Sequence, residues 1–549
     1  MPEGTPTGTP STTDLPAEGR RHGLAMNRLG GAAILMMAAV MGSRVIGYVR
    51  QAYIAWAFGA GKLTDAYNVA FTIPNWLNYL VAGGALSITF ITIFSPYLAQ
   101  GKEEEGYRVF SIIATFMALA LTAGVILGEI FTPQLLRLYL AASFTPAQLA
   151  LCVRMTRILL PAQLFFGIGG LICATLYARG VFWLPALAPL FYSTSIILGG
   201  VLLSHWLGIT SLAVGALAGA VIGPFLFPLF GARAGGLRFR WNFHFRDRQF
   251  VHWLKLTLPL MVGVSLVSAD DWIMQPLAAS LHGAITELVY AKQLMRVPTA
   301  VLGQAVGQAT MPFFAWLVAE NNWEELRETL DRAVVKTATA AVLAASYLAA
   351  LALPLTELVY VRGKFTVAEA QLTAMYLGIF VLSLAFWAVQ GLYSRAFYAA
   401  GNTMTPMLAG TIVTAAVIPI YIVLAHRFGV PGLVVASDTG MIVNTLVLAA
   451  LLHRRKWLGA KLERWRTVPA VVVVAVLAGA AAYVFERHFA PAHYAGLPVL
   501  GLAGAATALW LVLVIALGWI FGLKALLAEA WRLVRRAFTR ITPRAAAAS

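Results

Sequence analysis

Long apolar runs dominate this chain and predict its architecture. The sequence repeatedly places about 20 or more mostly apolar residues between short polar or basic segments. A run of this length crosses the hydrocarbon core of a bilayer as an α-helix. We count fourteen such runs between residues 29 and 522. The pattern therefore predicts an all-α integral membrane protein with about 14 transmembrane helices.

Two short motifs recur in the second half of the chain. The repeated motifs are Tyr177-Ala178-x-Gly180-x4-Pro185 with Tyr398-Ala399-x-Gly401-x4-Pro406, and Pro74-x8-Gly83-x-Ala85-x4-Phe90 with Pro298-x8-Gly307-x-Ala309-x4-Phe314. Both pairs are separated by about 220 residues. Gly and Pro impose specific backbone geometry, so a repeated pattern of both indicates duplicated units. We therefore expect two pseudo-symmetric six-helix lobes, an arrangement that is typical of transporters.

These patterns divide the chain into five parts. An N-terminal lobe over 28–235 holds six predicted transmembrane helices, and a C-terminal lobe over 250–455 holds six more. Two further membrane helices are predicted over 467–522. Residues 1–27 are rich in Pro, Thr and Gly and predict a disordered cytoplasmic tail. Residues 523–549 alternate apolar and basic positions, which predicts an amphipathic cytoplasmic tail at the membrane surface.

Basic residues collect in a few inter-helix segments, which predicts the orientation of the chain. More than half of the 40 Lys and Arg lie in the segments Arg20–Arg28, Arg233–Lys255, Arg454–Arg466 and Lys524–Arg544. Such segments stay on the cytoplasmic side, so both termini are expected there. The net charge of +17 then reflects orientation and contact with anionic lipids. No soluble domain carries a basic stripe interleaved with aromatics, so a nucleic-acid partner is not expected.

The composition also argues against several classes of site. The chain is 60% hydrophobic and 11% charged, with two Cys that lie on one predicted helix, about 30 Å apart, too far for a disulfide. The nine His are scattered, so a metal site is not expected. Residues 58–64 lack the first Gly of a phosphate-binding loop and have Leu63 after the Lys. With no cofactor expected, transport would run on Na⁺ or H⁺ coupling, the membrane potential or a partner.

Four basic residues lie inside predicted spans. Arg44 and Arg50 are in the first span, about 120° apart around the helix, and Lys292 and Arg296 are one turn apart in the eighth. A charge that faces lipid at mid-membrane costs about 2.5–3.5 kcal/mol, so these side chains are expected to line a hydrated cationic cavity between the repeats. Such a cavity suits an anionic diphosphate. The alternative is snorkelling or pairing at helix ends.

Acidic residues form a second set, all in the second repeat. Asp270 and Asp271 lie in the seventh span, and Asp438 lies in the twelfth near Asn444. Carboxylates with amide neighbours are ligands for Na⁺ or H⁺, so these four residues are a candidate coupling-ion site. Pairing of the carboxylates with Lys292, or capping of helix ends, is an alternative that the sequence leaves open.

Several motifs together match a known family. They are Ser43-Arg44-Val45-x-Gly47-x2-Arg50, Phe58-Gly59-x5-Asp65-Ala66-x4-Phe71-x2-Pro74-Asn75, Tyr290-Ala291-x2-Leu294-Met295-x2-Pro298 and Tyr398-x2-Gly401-x3-Thr405-Pro406. Over residues 28–522 the chain resembles the MurJ (MviN) lipid II flippases, which belong with the MATE exporters to the MOP superfamily. The resemblance implies two six-helix lobes in a V plus two C-terminal helices. It also implies an undecaprenyl-diphosphate-linked peptidoglycan precursor as the substrate.

The resemblance extends to particular residues. Arg44, Arg50 and Asp65 match family positions in the cavity and at the outer end of the first helix pair. Where the family has charged residues, this chain has Gln51, Asn78, Gly83 and Lys292-Gln293. The substrate-binding cavity is therefore assigned to Arg44, Arg50, Asp65, Asn78, Lys292, Gln293 and Arg296.

The expected function is to move lipid II from the inner to the outer leaflet of the bacterial cytoplasmic membrane by alternating access, without enzymatic activity. The departures from the family leave another polyprenyl-diphosphate glycan open as the substrate. A MATE-like exporter of small organic cations is a second alternative, but its cavity should be acidic and aromatic. A non-transporting scaffold for cell-wall synthases is a third, and it predicts that cavity charges are dispensable. A monomer is expected, with anionic lipids and cell-wall synthases as candidate partners.

Overall fold

The computed structural model describes residues 39, 41–82, 85–140, 143–262, 266–459, 467–489, 497–524, 528 and 532. Every regular element within these residues is helical. The predicted tail over 1–27 and most of the predicted tail over 523–549 lie outside the described residues, as does Gly83 of the second repeated motif.

The helices follow one another with short connections. In chain order they are α1 (41–58), α2 (Lys62–Ala70), α3 (Thr72–Ala82), α4 (Ala85–Ala99), α5 (Glu103–Leu140), α6 (Pro146–Leu159), α7 (Ala162–Ala178), α8 (Trp183–Leu207), α9 (Thr210–Ala220), α10 (Phe227–Ala234), α11 (Arg248–Val262), α12 (Leu266–Ala278), α13 (Ala284–Pro298), α14 (Val306–Ala319), α15 (Trp323–Ala350), α16 (Ala352–Tyr360), α17 (Val367–Phe380), α18 (Leu384–Ala399), α19 (Met404–Arg454), α20 (Thr467–Phe489) and α21 (Leu497–Ile520). Short π-helical segments over Val221–Leu226 and Thr299–Ala305 join α9 to α10 and α13 to α14.

Within the described residues, nine continuous helical stretches are long and apolar enough to cross a membrane, and three of them join two helices each, α6 with α7, α9 with α10 and α17 with α18. The predicted all-α membrane architecture is thereby confirmed. The count of fourteen spans stays a prediction. One of the nine, α19, has 51 residues and contains a break at Gly429, where φ is +63° and ψ is −140°. Only Gly adopts this backbone conformation without strain, so α19 consists of two segments that correspond to two predicted spans.

Both copies of the first repeated motif have the same backbone geometry. Gly180 ends α7 with φ of +75°, and Gly401 ends α18 with φ of +70°. In each copy the Gly N–H donates to the carbonyl of the motif's Tyr at 3.0 Å, and the next residue's N–H donates to the carbonyl five residues back at 2.9 Å. A left-handed Gly with these bonds is a standard helix C-terminus. The repeat in the sequence therefore encodes a repeated helix stop.

The chain divides into two compact units. The first contains the described residues up to Arg50 with Ile73–Phe131 and Arg154–Met261, and the second contains Gln51–Thr72, Thr132–Val153 and the described residues after Val262. Two short segments of the N-terminal half, Gln51–Thr72 and Thr132–Val153, thus group with the second unit. The lobes over 28–235 and 250–455 stay a prediction.

Each unit has its own apolar core. In the first unit, aromatic and aliphatic side chains of α4, α5 and α7 pack around Phe110 and Trp253. In the second unit, α14, α15, α18 and the end of α19 pack around Phe314 and Phe397. The C-terminal helices α20 and α21 pack on α15 of the same unit. A Cβ at Gly479 of α20 would lie 3.2 Å from Ser346 of α15, and small residues at such contacts let membrane helices approach closely.

Candidate substrate and ion sites

The first candidate site is on α1, in the first unit. Arg44 and Arg50 lie on this helix as predicted, with Arg44 exposed and Arg50 half-buried. The Arg50 Nη1 donates to Ser193 Oγ on α8 at 3.4 Å. No carboxylate among the described residues forms an ion pair with Arg50. Its positive charge is therefore not neutralised within the described part of the chain, which leaves it able to bind an anion.

The second candidate site is a compact ion-pair cluster in the second unit. Lys292 Nζ on α13 donates to Asp270 Oδ2 and to Asp271 Oδ1 on α12, each at 2.5 Å. Arg296 lies 3.7 Å from Asp271 Oδ2. We call these four residues the Lys292 cluster. With two cations and two carboxylates, its formal charges sum to zero.

Exposure differs sharply within the Lys292 cluster. The Lys292 side chain is 14% exposed and that of Asp270 is 4% exposed, whereas Arg296 is 61% exposed. The ammonium of Lys292 also lies over the ring of Phe380 at 5.5 Å. Partners on α12 and α17 thus enclose Lys292, while Arg296 remains on the surface of its unit. Of the two cations that the sequence assigned to the eighth span, Arg296 is the one that remains accessible.

A tyrosine and a second carboxylate extend this site. Tyr421 on α19 donates its hydroxyl proton to Asp270 Oδ1, and Ser383 donates to Asp438 Oδ1 at 2.5 Å. Asp438 Oδ2 and Asn444 Oδ1 are buried and have no hydrogen-bond partner among the described residues. Those residues contain no group of three or more His, Cys, Asp or Glu side chains arranged to hold a metal ion. The sequence left open whether the carboxylates pair with Lys292. Asp270 and Asp271 do so.

Asp65 has a well-defined set of partners at the start of α13. Its Oδ2 accepts from the Gly283 N–H at 2.8 Å, and its Oδ1 accepts from the Thr286 N–H at 2.9 Å and from Thr286 Oγ1 at 2.7 Å. The side chain is buried. It therefore satisfies backbone N–H groups that the first turn of a helix leaves unpaired. This contact gives Asp65 a structural role, and its part in substrate binding stays a prediction.

We expect Asp65→Ala to destabilise the protein. The substitution removes three hydrogen bonds from the first turn of α13, and the loss of a helix N-cap costs about 0.5–2 kcal/mol. The thermal unfolding midpoint of the purified protein should therefore fall. Glu320→Ala, which removes an exposed carboxylate between α14 and α15, should leave the midpoint unchanged. An unchanged midpoint for Asp65→Ala combined with lost transport would instead support direct contact with the substrate.

The remaining assigned residues are amides. Asn78 on α3 donates to Gln163 Oε1 on α7 at 2.9 Å, and Gln293 accepts from Arg296 Nη1 at 3.3 Å. Sequence reasoning did not identify Ser193, Gln163 or Tyr421 as partners. Single polar residues in apolar spans are the available signal, but they do not identify the contact that each residue makes.

An apolar cavity of about 560 Å³ lies within the second unit. Its lining comes from α15, α18 and α20, and from the short connection before α18, and it is apolar except for Ser346 and Tyr483. A lining of this kind suits hydrocarbon and offers few groups for a polar ligand.

Comparison with known proteins identifies the relatives of this chain. A family model described as Lipid II flippase MurJ matches residues 54–504. A probable lipid II flippase MurJ from Bdellovibrio bacteriovorus is 27% identical over 432 residues, which cover 77% of this chain and 82% of the relative. A probable lipid II flippase MurJ from Rhizobium meliloti is 26% identical over 499 residues, covering 87% and 92%. A lipid II flippase MurJ from Burkholderia cenocepacia is 28% identical over 426 residues, covering 75% and 81%.

Solved structures show the same fold. A lipid II flippase MurJ in an inward closed conformation aligns with a TM-score of 0.76 at 22% identity, covering 90% of this chain and 100% of the other. An inward-facing multidrug resistance MATE family transporter of the MOP superfamily aligns with a TM-score of 0.59 at 14% identity, covering 77% and 98%. The helical fold described above is thus the fold of these transporters.

Proposed function

Because this chain belongs to the lipid II flippase MurJ family, we propose that it moves lipid II from the inner to the outer leaflet of the bacterial cytoplasmic membrane. The observation that carries this proposal is the family match, which spans 54–504 and so includes most of the predicted membrane spans. Peptidoglycan synthesis outside the cell would consume the translocated precursor. The protein acts as a transporter and has no chemical step to catalyse.

In this proposal, Arg44 and Arg50 bind the diphosphate. A guanidinium forms bidentate, charge-assisted hydrogen bonds with phosphate oxygens. The charge of Arg50 supports the assignment, because no described carboxylate neutralises it. The polar glycan crosses with the diphosphate by alternating access, while the polyprenyl tail stays in hydrocarbon, for which the apolar cavity of the second unit is a suitable surface.

The Lys292 cluster has a different part in the proposal. Its carboxylates neutralise its cations, so Arg296, which is largely exposed, is its best candidate for substrate contact. Asp270 and Asp271 already bind an ammonium group. Asp438 Oδ2 and Asn444 Oδ1, which have no hydrogen-bond partner in the described part of the chain, are therefore the candidate acceptors for a coupling Na⁺ or H⁺. The membrane potential is the alternative driving force, since the headgroup is anionic.

One observation favours a second substrate. Asn78 forms a neutral amide pair with Gln163 at a position where the resemblance implies a charged residue. Amide groups donate to and accept from sugar hydroxyls, so another polyprenyl-diphosphate glycan is the second candidate. Exporters of organic cations are disfavoured, because the charge on α1 is positive. Anionic lipids and cell-wall synthases remain proposed partners of a monomeric protein.

Complementation tests the proposed function. A bacterial strain depleted of its own lipid II flippase should grow when it expresses this chain, and purified protein in liposomes should move fluorescent lipid II between leaflets. Liposomes that carry another polyprenyl-diphosphate glycan provide the comparison. Movement of that glycan but not of lipid II would identify the second substrate, and movement of neither would favour the scaffold function.

We further expect a cytoplasmic location for both termini, which cysteine labelling can test. In a background without native cysteines, a Cys at Lys62 or Arg362 should react with a membrane-impermeant maleimide in intact cells. A Cys at Arg240 or Arg327 should react only after lysis. This pattern follows from the concentration of basic residues in segments that stay inside. Labelling of position 240 in intact cells would contradict the proposed orientation.

A further inference from the structure

An extended segment of the first unit presents aromatic and basic side chains in alternation. Residues 237–247, which we call the aromatic strap, connect α10 to α11 without regular secondary structure. The odd positions from 239 to 245 are Phe, Trp, Phe and Phe, and the even positions include Arg238, Arg240, His244 and Arg246. Side chains alternate across an extended backbone. Up to Phe243, the aromatic groups and the basic groups therefore project to different sides of the strap, and a turn at residues 245–246 follows.

The aromatic strap is held along the start of α5. The Arg240 N–H donates to Ser111 Oγ at 3.2 Å, and the Asn242 N–H donates to Thr115 Oγ1 at 3.1 Å. Ser111 and Thr115 are four residues apart on a helix, which is about 6 Å, and Arg240 and Asn242 are two residues apart on an extended chain, which is about 6.6 Å. The extended segment can therefore bond to both side chains of α5. At the far end of the strap, Asp247 forms an ion pair with Arg108 of α5 at 3.1 Å.

Three aromatic side chains of the strap nevertheless remain uncovered. Phe239, Trp241 and Phe243 are 44%, 63% and 60% exposed, and their rings follow one another at 5.2 Å and 6.4 Å. Phe245, by contrast, packs against Phe116 and Phe250. Exposed Trp and Phe are unfavourable in water. At the boundary between hydrocarbon and headgroups, the amphipathic ring of Trp is stabilised and Phe rings bury apolar surface.

The basic side of the strap is also accessible. Arg240 and Arg246 are exposed and form no ion pair with any described carboxylate. Arg238 is 3.7 Å from Glu104, but both side chains are largely exposed, so the pair is weak. Long arginine side chains reach from an interfacial backbone to lipid phosphates, and negative lipids attract basic residues beside a membrane helix.

We propose that the aromatic strap is a binding site for anionic phospholipid at one face of the membrane. The rings of Phe239, Trp241 and Phe243 insert at the level of the glycerol and upper acyl chains. Arg240 and Arg246 bind the phosphate groups. The position of the strap on α5 supports this depth, because the strap begins beside the residues where the polar start of α5 gives way to its apolar stretch. The site is independent of the substrate proposal.

Tryptophan quenching by brominated lipid tests the site in the full-length protein. Two nanodisc preparations have equal parts phosphatidylcholine and phosphatidylglycerol, with bromine on only one of the two lipids. The fluorescence of Trp241 is obtained as the difference in emission between the wild type and Trp241→Phe. We expect brominated phosphatidylglycerol to quench it more strongly. Trp206 is 75% exposed and has no nearby Arg in the sequence, so the matching difference for Trp206→Phe should show equal quenching by both lipids.

Charge variants test the role of the arginines. Each basic residue near an anionic surface contributes about fivefold to lipid preference, so Arg240→Gln with Arg246→Gln should largely remove the preference of Trp241 for phosphatidylglycerol. Arg233→Gln with Arg454→Gln changes the net charge equally and should preserve it. Equal quenching by both lipids in the wild type would overturn the proposal. Equal loss of the phosphatidylglycerol preference in the two double variants would also overturn it. If neither brominated lipid quenched Trp241, the proposal would fail as well, and a protein partner would be indicated instead.

Discussion

Arg50→Gln should reduce lipid II movement at least tenfold while the protein still inserts into the membrane. Charge-assisted hydrogen bonds contribute about 1.5–3 kcal/mol, which corresponds to about 10- to 100-fold in binding. The loss should be large because no described carboxylate compensates the charge of Arg50, and its hydrogen bond to Ser193 is long, at 3.4 Å. The measurement is movement of fluorescent lipid II in liposomes that contain equal amounts of each variant. Arg44→Ala should have an effect in the same direction.

Two further variants make this test specific. Arg137→Gln removes an exposed Arg near the end of α5 and should leave transport unchanged. Arg50→Lys keeps the charge but not the bidentate geometry, so partial transport is expected. If well-inserted Arg50→Gln protein moved lipid II normally, the headgroup would bind elsewhere. Failure of the wild type and of every variant to move lipid II would favour the scaffold function.

Lys292→Met should destabilise the protein strongly. The substitution leaves Asp270, which is 4% exposed, and Asp271 without the ammonium that lies 2.5 Å from each carboxylate. Breaking a buried ion pair by removal of one partner costs about 3–5 kcal/mol. The thermal unfolding midpoint of the purified protein should therefore fall clearly. Arg296→Gln should change it little, because Arg296 is 61% exposed and a surface pair contributes about 1 kcal/mol or less.

A triple variant separates stability from transport at this site. Combining Lys292→Met with Asp270→Asn and Asp271→Asn removes the unpaired negative charges, so most of the lost stability should return. If Lys292 acts only within its cluster, the triple variant should also regain lipid II movement. A stable triple variant that does not move lipid II would show that a charge of this cluster takes part in transport. A Lys292→Met protein as stable as the wild type would contradict the ion-pair network.

Several features of the fold follow from local patterns in the sequence. The apolar runs predicted a helical membrane protein, and the described helices agree with it. The repeated Tyr-Ala-x-Gly motif predicted duplication, and both of its glycines end a helix in the same left-handed conformation. The stop at Gly429 likewise separates two predicted spans. These features depend on interactions within a few residues, such as backbone hydrogen bonds and side-chain hydrophobicity.

Contacts between residues that are far apart in the sequence did not follow from such local patterns. The sequence placed Arg44 and Arg50 on one helix, which the structure confirms, but it assigned Lys292 to substrate binding without excluding its pairing with carboxylates. The segments that belong to each compact unit were also not predicted, because 51–72 and 132–153 associate with residues much later in the chain. Periodicity along a helix gives the face of a residue but not the element that will cover that face.

The sequence by itself determined the helical membrane architecture, the internal repeat, the family and the cationic character of α1. Tertiary structure alone decided which charges are neutralised. Asp65 meets the first turn of α13, Lys292 meets the carboxylates of α12, and Tyr421 approaches Asp270 from α19. The physical reason is that electrostatic and hydrogen-bond energies depend on separations of a few ångströms and on burial. Those quantities arise only when helices that are far apart in the sequence pack together.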